Sequence, residues 1–168
     1  MIQFSDLFGK AERSVTHLEL RDTYGLTEGF RAWQAGVSAD EIMRFEDFMS
    51  WARLVRQHVE RGISFRRARV ISEPVSEFIR YENRVTANNV AAGEQVRWLP
   101  RPHAAELALP GADFWQVDDS AVWFVFQSGD GDPAGDRMCE DPAVARLCSS
   151  AFEAVWERAI DHGEYRPA

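Results

Sequence analysis

The chain has 168 residues, a length that suits one domain, and its content of 45% hydrophobic and 12% aromatic residues is typical of a globular core. With 27 acidic against 19 basic side chains, its formal charge is −8 at pH 7, which disfavours bulk binding to nucleic-acid phosphates. No apolar run approaches the about 20 residues of a membrane span, and the two cysteines match no metal-binding spacing, so we expect a cytoplasmic protein with reduced thiols.

The first predicted elements are a lead-in, a strand and a short helix. Residues 1–16 carry scattered apolar side chains, typical of a short helix or a loose lead-in. Residues 16–24 alternate apolar and charged side chains, with Leu18 and Leu20 on one parity. This alternation predicts a half-buried strand, with a helix as the alternative. Residues 28–34 predict a short helix.

The clearest helical pattern covers residues 39–61. Ser38 and Glu41 have the spacing of a capping box, in which each side chain accepts a hydrogen bond from the backbone of the other. Apolar side chains then recur at steps of three and four residues, and Gly62 ends the pattern.

The middle of the chain predicts a βαβ unit. Residues 63–71 and 94–100 read as strands, and residues 73–92 as the helix between them, with Ser72 as N-cap and Pro74 in the first turn. Two strands joined by a helical crossover pair in parallel.

The last third of the chain predicts a hairpin and a helix. Residues 113–117 and 121–127 are dense in aromatic side chains and flank a short polar turn, which is typical of an antiparallel hairpin. Residues 128–136 predict a loop rich in Gly and Asp, and residues 141–161 an amphipathic helix. The final residues, 162–168, are expected to fray.

Together these elements predict an α+β (α/β) fold. We expect one domain over residues 1–168, built on a small mixed sheet in which the aromatic hairpin extends the βαβ unit antiparallel. Helices 39–61, 73–92 and 141–161 would cover the sheet.

One candidate for acid–base or metal chemistry is the run that contains His17, Glu19 and Asp22. On a strand, His17 and Glu19 face one side and Asp22 the other, so the three do not converge. We interpret them as charged residues on a solvated strand face. No other His or Cys spacing suits a metal, so neither a metal site nor a cofactor is predicted.

A second candidate is the set of arginines in the βαβ unit. Arg67 and Arg69 share a strand face, Arg80 and Tyr81 lie on the crossover helix, and Arg97 lies on the neighbouring strand. If they converge, they could bind a carboxylate or phosphate. Internal ion pairing is the favoured alternative, because acidic residues are interleaved among them. Those acids are Glu73, Glu77, Glu82 and Glu94.

The hairpin places aromatic side chains on both of its faces. Phe114 and Trp115 point to opposite sides, as do Trp123 and Phe124. One face must pack against covering helices, and the other is either further core or an exposed interface. Core is the favoured interpretation.

Several motifs in this sequence resemble an uncharacterised actinobacterial family of unknown function, DUF 6879. The motifs are Arg67–Pro74, Ile79–Glu82, Asn88–Glu94, Val96–Pro100 and Asp113–Trp115. Members of the family are similar to domains that follow a helix-turn-helix in actinobacterial regulators, and those domains look like half of a phospholipase-D-type α/β unit. The resemblance implies a regulatory or partner-binding role. It implies no phosphodiesterase activity, because the pattern His-x-Lys-x4-Asp is absent and Lys10 is the sole lysine.

We therefore predict a non-catalytic sensor or partner-binding protein that acts through a separate helix-turn-helix regulator or as a homodimer, without direct contact to nucleic acid or membrane. The alternative is a small enzyme acting on an anionic metabolite, with His17, Glu19 or Asp119 as acid–base groups. A concave pocket that gathers His17 or His103 with carboxylates would favour the enzyme, and a flat aromatic patch would favour the binding protein.

Overall fold

The structure, a computed structural model, describes residues 4–168. The first half of the chain contains α1 (Phe4–Phe8), β1 (Ser14–Glu19), α2 (Glu28–Gln34), α3 (Ala39–Ile42), α4 (Glu46–Glu60), β2 (Ser64–Ile71) and α5 (Glu77–Ala91). The second half contains β3 (Gln95–Pro100), a 3-10 helix (Arg101–Ala104), β4 (Asp113–Val117), β5 (Ala121–Gln127), β6 (Pro133–Cys139), α6 (Pro142–Arg158) and β7 (Ile160–Asp161).

The seven strands form one mixed sheet in the order β6-β5-β4-β1-β2-β3-β7. Strands β1, β2 and β3 run parallel, and α5 connects β2 to β3 as the predicted βαβ unit. The hairpin of β4 and β5 joins the other side of β1 in antiparallel orientation. The predicted α+β class and mixed sheet are therefore confirmed.

Helices cover both faces of this sheet. On one face, α6 packs Cys148, Phe152 and Val155 against apolar strand residues such as Leu18 and Phe114. On the opposite face, α4 and α5 pack against the remaining strand side chains in two further apolar clusters. Strand β1 lies in the middle of the sheet, so both of its faces are covered.

The strand predicted over residues 16–24 is corrected to Ser14–Glu19. The alternation of Leu18 and Leu20 set the wrong bounds, because β1 is buried on both sides and carries polar as well as apolar residues inward. The loop predicted over residues 128–136 is also corrected. Its last four residues, 133–136, belong to β6, which pairs with β5 along the exposed edge of the sheet.

The helix predicted over residues 39–61 is two helices. The capping box of Ser38 and Glu41 is present, but α3 ends after one turn. Phe45 then takes extended backbone angles and starts α4 as its N-cap. The apolar spacing continues across the break, because Met43 and Phe45 still pack against the core, so periodicity alone could not reveal it.

The helix predicted over residues 73–92 starts four residues later than expected. Ser76, not Ser72, is the N-cap, and its hydroxyl accepts a hydrogen bond from the backbone N–H of Ile79 at 3.1 Å. Ser72 instead donates to Asp22 through both its N–H and its hydroxyl, each at 2.7 Å. Both Ser72 and Ser76 precede a glutamate, so either serine could have been the N-cap. Ser72 is bonded to Asp22 instead, and the helix starts after Ser76.

The tail over residues 162–168 does not fray but packs onto the sheet. Tyr165 is 4% exposed and stacks on Trp98 with ring centroids 5.5 Å apart. Its hydroxyl donates to the carboxylate of Glu73 at 2.7 Å. The single tyrosine supplies enough buried aromatic surface to fix an otherwise polar segment.

The packing of the tail predicts a graded loss of stability. We expect Tyr165→Ala to lower the free energy of unfolding by about 3 kcal/mol, since it empties a buried aromatic site. Tyr165→Phe keeps the stacking and loses one hydrogen bond, so it should cost about 1 kcal/mol. Urea denaturation measures both values. Equal stability of the wild type and Tyr165→Ala would show that the tail does not hold to the sheet in solution.

Candidate functional site

The register of β1 against β2 places four polar side chains next to one another on one face of the sheet. His17 lies beside Arg67, and Glu19 lies beside Arg69. Residues paired across parallel strands point the same way, so all four face the side that α4 and α5 cover. Each is at most 8% exposed. The centre of this face is therefore charged rather than apolar.

Glu19 is the common partner of the other three. One of its carboxylate oxygens accepts a hydrogen bond from the Nη1 of Arg67, and the other accepts from the Nε of Arg69 at 2.5 Å. The Nε2 of His17 lies 3.2 Å from the first of these oxygens. Charge-assisted bonds of this kind are the strong ones, and both oxygens of Glu19 are occupied by protein donors.

The two guanidinium groups are held on their far sides as well. Arg69 donates to the hydroxyl of Thr86 and to the carboxylate of Glu82, each at 2.6 Å. Arg67 donates through its Nε to Glu94 at 2.7 Å. The resulting network crosses from β1 through β2 to α5, and we call it the buried ion network. Its members are His17, Glu19, Arg67, Arg69, Glu82 and Glu94.

Both ring nitrogens of His17 face hydrogen-bond acceptors. Nδ1 lies 2.8 Å from the carbonyl oxygen of Phe114, and Nε2 faces the carboxylate of Glu19. Both contacts are hydrogen bonds only when the imidazole carries two protons and a positive charge. The ring also stacks on Trp115, with centroids 3.7 Å apart and planes at 2°, an arrangement that suits a cation on an aromatic face.

A cleft of about 490 Å³ opens above this network. Its floor is the sheet, and its walls come from α4, α5, the loop after β1 and the hairpin. Six aromatic side chains contribute to these walls. They are Phe4, Tyr24, Phe48, Trp51, Trp115 and Trp123. The volume lies in the range of small-molecule sites, about 300 to 1,000 Å³.

Burial and charge act differently on the acids of the cleft. Burial alone would raise the pKa of Glu19, but the neighbouring Arg69 and Arg67 outweigh it and hold that pKa well below its usual value. Burial raises the pKa of Glu82, and Arg69 offsets this only in part because Glu19 repels the same charge. Burial also raises the pKa of Asp113, against the hydrogen bond from the hydroxyl of Tyr24 at 2.6 Å.

Of the five residues predicted for an anion site, the structure brings two together. Arg67 and Arg69 lie in the buried ion network. Arg80 is exposed on α5, and Arg97 points to the opposite face of the sheet, where it donates to Asp161 at 2.8 Å. Tyr81 is buried in the apolar cluster beneath α2. Internal ion pairing, the favoured alternative, accounts for both buried arginines.

The solvated strand face expected for His17 and Glu19 is wrong, because α4 and α5 cover that side of the sheet. Asp22 lies apart from them, as predicted, and binds Ser72. Asp119 is distant too, on the hairpin turn, where the hydroxyl of Ser149 donates to it at 3.3 Å. The acids that accompany His17 and Glu19 are Glu82 and Asp113 instead.

The four aromatic residues proposed as an interface are all buried. Phe114 and Phe124 belong to the apolar cluster beneath α6. Trp115 and Trp123 lie on the other face and line the cleft. The interface hypothesis is therefore corrected: one pair is core, and the other forms walls of an internal site.

Sequence reasoning missed the contributions of the two covering helices. On α5, Glu82, Thr86 and Asn89 follow one another at helical spacing and form a polar stripe on an otherwise apolar face. On α4, Asp47 and Trp51 are one turn apart. A buried polar stripe on an amphipathic helix was the available signal, since such groups require polar partners.

Within residues 4–168, no group of three or more His, Cys, Asp or Glu side chains is arranged to hold a metal ion. Over the same residues, no helix has the length and hydropathy to cross a membrane. Cys148 is buried on the inner face of α6, and burial raises the pKa of its thiol to about 11. A thiol in that state is a core residue and a poor nucleophile.

Comparison with protein-family profiles matches residues 2–167 to a family described as Domain of unknown function (DUF6879). The match covers nearly the whole chain. A search of curated proteins gives no match.

The geometry around Glu19 predicts a large effect of removing its charge. We expect Glu19→Gln to lower the free energy of unfolding at pH 7 by about 3 to 5 kcal/mol, because it leaves Arg67 and Arg69 buried without their shared partner. The pKa of Glu19 is lowered from its ordinary 4.5, so its contribution is present above that pH and is lost as the pH falls further. The wild type should thus lose more stability than Glu19→Gln on acidification below pH 4.5. Urea unfolding at several pH values measures both.

Glu153→Gln is the matched control. Glu153 also accepts two hydrogen bonds from one arginine, Arg66, but its side chain is 48% exposed on the other face of the sheet. Its loss should cost about 1 kcal/mol or less. A similar cost for both variants would contradict a special role of the buried network.

Proposed function

We propose that this chain, which belongs to the DUF6879 family, is a non-catalytic sensor domain that binds a small organic molecule in the cleft above the buried ion network. The observation that carries the proposal is the coincidence of an aromatic-walled cleft with a fixed, buried set of charges at its floor. Ligand sites combine these same two features, apolar walls and a few positioned polar groups.

The buried ion network adds little to the free energy of folding. Burying an ion pair costs desolvation that the pair itself only about balances, and apolar side chains of the same volume would stabilise the fold as well or better. The network is therefore poorly explained by stability alone. Clustered buried groups with shifted pKa values, here Glu19, Glu82 and Asp113, support a binding role for the cleft that contains them.

The enzyme alternative also draws on this cleft, which does gather His17 with carboxylates. Against it, His17 and Glu19 are held on all sides by protein partners, so neither is available to exchange a proton with a ligand. The residues that line the cleft also include no Ser, Cys or Lys nucleophile. Glu82, with one oxygen bonded to Arg69, is the best remaining acid–base candidate. A binding role needs none of these groups to react.

The regulatory part of the proposal rests on the resemblance to domains of helix-turn-helix regulators. In this scheme, the occupied cleft changes how the domain contacts a separate DNA-binding regulator or a second copy of itself. The energy available for such a change is the difference in ligand affinity between the two states of the domain.

Six tryptophans allow a direct test of the binding site. With ¹⁵N-labelled protein and indole as the probe, we expect the side-chain N–H resonances of Trp51, Trp115 and Trp123 to shift on titration. Trp156 lies on the other face of the sheet and should not move. The Trp123 resonance is assigned by its loss in Trp123→Phe.

Val125 gives the blocking variant for the same experiment. It lines the cleft from β5, two residues after Trp123 on the same face of the sheet. Val125→Trp should fill the cleft and abolish the indole-dependent shifts, while the Trp156 resonance keeps its position. Shifts that persist in Val125→Trp, or that appear equally at Trp156, would contradict binding in the cleft.

A further inference from the structure

The charges around the cleft indicate what class of molecule it would hold. Resting on the proposed function, we propose that the ligand is an organic cation, an ammonium or guanidinium group carried on a flat apolar body. The arginine pattern in the sequence had allowed an anion here, with internal ion pairing as the favoured alternative.

The acids that line the cleft outnumber the bases. Four acidic side chains, Glu19, Asp47, Glu82 and Asp113, line the cleft together with two guanidinium groups, Arg67 and Arg69. Glu94 lies just behind the lining and pairs with Arg67. With Glu94 included, five carboxyl groups surround two guanidinium groups, so the cleft offers more acidic than basic side chains.

The guanidinium groups have little left to offer an anion. Each of the three nitrogens of Arg69 already donates to Glu19, Thr86 or Glu82. Arg67 donates through Nε to Glu94 and through Nη1 to Glu19, which leaves Nη2 as its one nitrogen without an acceptor among residues 4–168. An anion bound there would lie among the carboxylates of Glu19, Glu82 and Glu94, which would repel it.

Two carboxylates, by contrast, have oxygens that a cation could reach. Only one oxygen of Glu82 is bonded within the described residues, to Arg69, and its side chain is 20% exposed. Asp47 is exposed at the rim, one helical turn before Trp51. Both lie on the helical side of the cleft, Asp47 on α4 and Glu82 on α5.

The aromatic walls suit the same charge. The face of an indole ring attracts a cation, and the attraction grows when the pair is shielded from water. The protein already uses these rings in this way: the guanidinium carbon of Arg67 lies 5.5 Å from the ring of Trp51 and 5.2 Å from that of Trp115. Trp123 adds a third indole ring to the lining, and no guanidinium group among residues 4–168 lies over it, so a ligand cation would find an attractive surface there.

Three probes with one aromatic body separate charge from shape: indole, tryptamine and indole-3-acetate. Measured by calorimetry at neutral pH, tryptamine should bind about tenfold more tightly than indole, and indole-3-acetate more weakly than indole. Tightest binding of indole-3-acetate would overturn the cation proposal and leave the binding function intact. Failure of all three to bind would overturn both.

Substitutions of the two reachable carboxylates sharpen the test. Asp47→Asn and Glu82→Gln should each reduce the preference for tryptamine over indole several-fold, a ratio measured within each variant. Asp47 is exposed, so its variant folds even if Glu82→Gln is destabilised. Glu60→Gln is the control, because it removes an equal charge from the far end of α4. An unchanged preference in Asp47→Asn and Glu82→Gln, or an equal loss in Glu60→Gln, would contradict the proposal.

Discussion

The ion pairing of the Glu19 carboxylate with Arg67 and Arg69 is the interaction on which the rest of this structure depends. The carboxylate lies at the middle of the sheet, in the strand between the hairpin and the βαβ unit, and it accepts hydrogen bonds from Arg67 and Arg69. Without it, two positive charges would be buried side by side. With it, they are fixed on one face of the sheet, and through Glu82 and Glu94 they tie that face to α5 and its C-terminal turn.

This constraint gives the two faces of the sheet different characters. Beneath α6 the packing is dry and apolar, with Leu18, Phe114 and Phe152 in one cluster. On the other face, α4 and α5 cannot close fully over a charged centre, and the space that remains is the cleft. The closely packed face gives the sheet a rigid support, and such a support holds the polar groups of the other face in position.

The different characters of the two faces also separate the aromatic residues of the hairpin: its tryptophans line the cleft, and its phenylalanines Phe114 and Phe124 lie in the core. Alternation along β4 sends Phe114 into the core and Trp115 into the cleft, where it stacks on His17. Pairing with β5 places Trp123 next to Trp115 on the same side. Large flat rings beside buried charge provide a surface that is apolar to a ligand's body and attractive to its positive group.

Local signals in the sequence determined most of the elements of this fold. The βαβ unit, the hairpin bounds and the capping box of Ser38 follow from residue periodicity and turn chemistry, which act over a few neighbours. The break before Phe45, the N-cap at Ser76 and the docking of Tyr165 depend on partners far along the chain, so the local pattern could not decide them.

The site, too, could be predicted only in part from the sequence. The arginines and their interleaved acids were visible in the sequence, but only the parallel register of β1 and β2 brought Glu19 between Arg67 and Arg69. A one-residue slip in that register would turn every side chain to the other face. The sequence by itself therefore determined which charges this protein carries, and tertiary structure alone decided that they neutralise one another beneath an aromatic cleft, because that depends on which strands lie side by side.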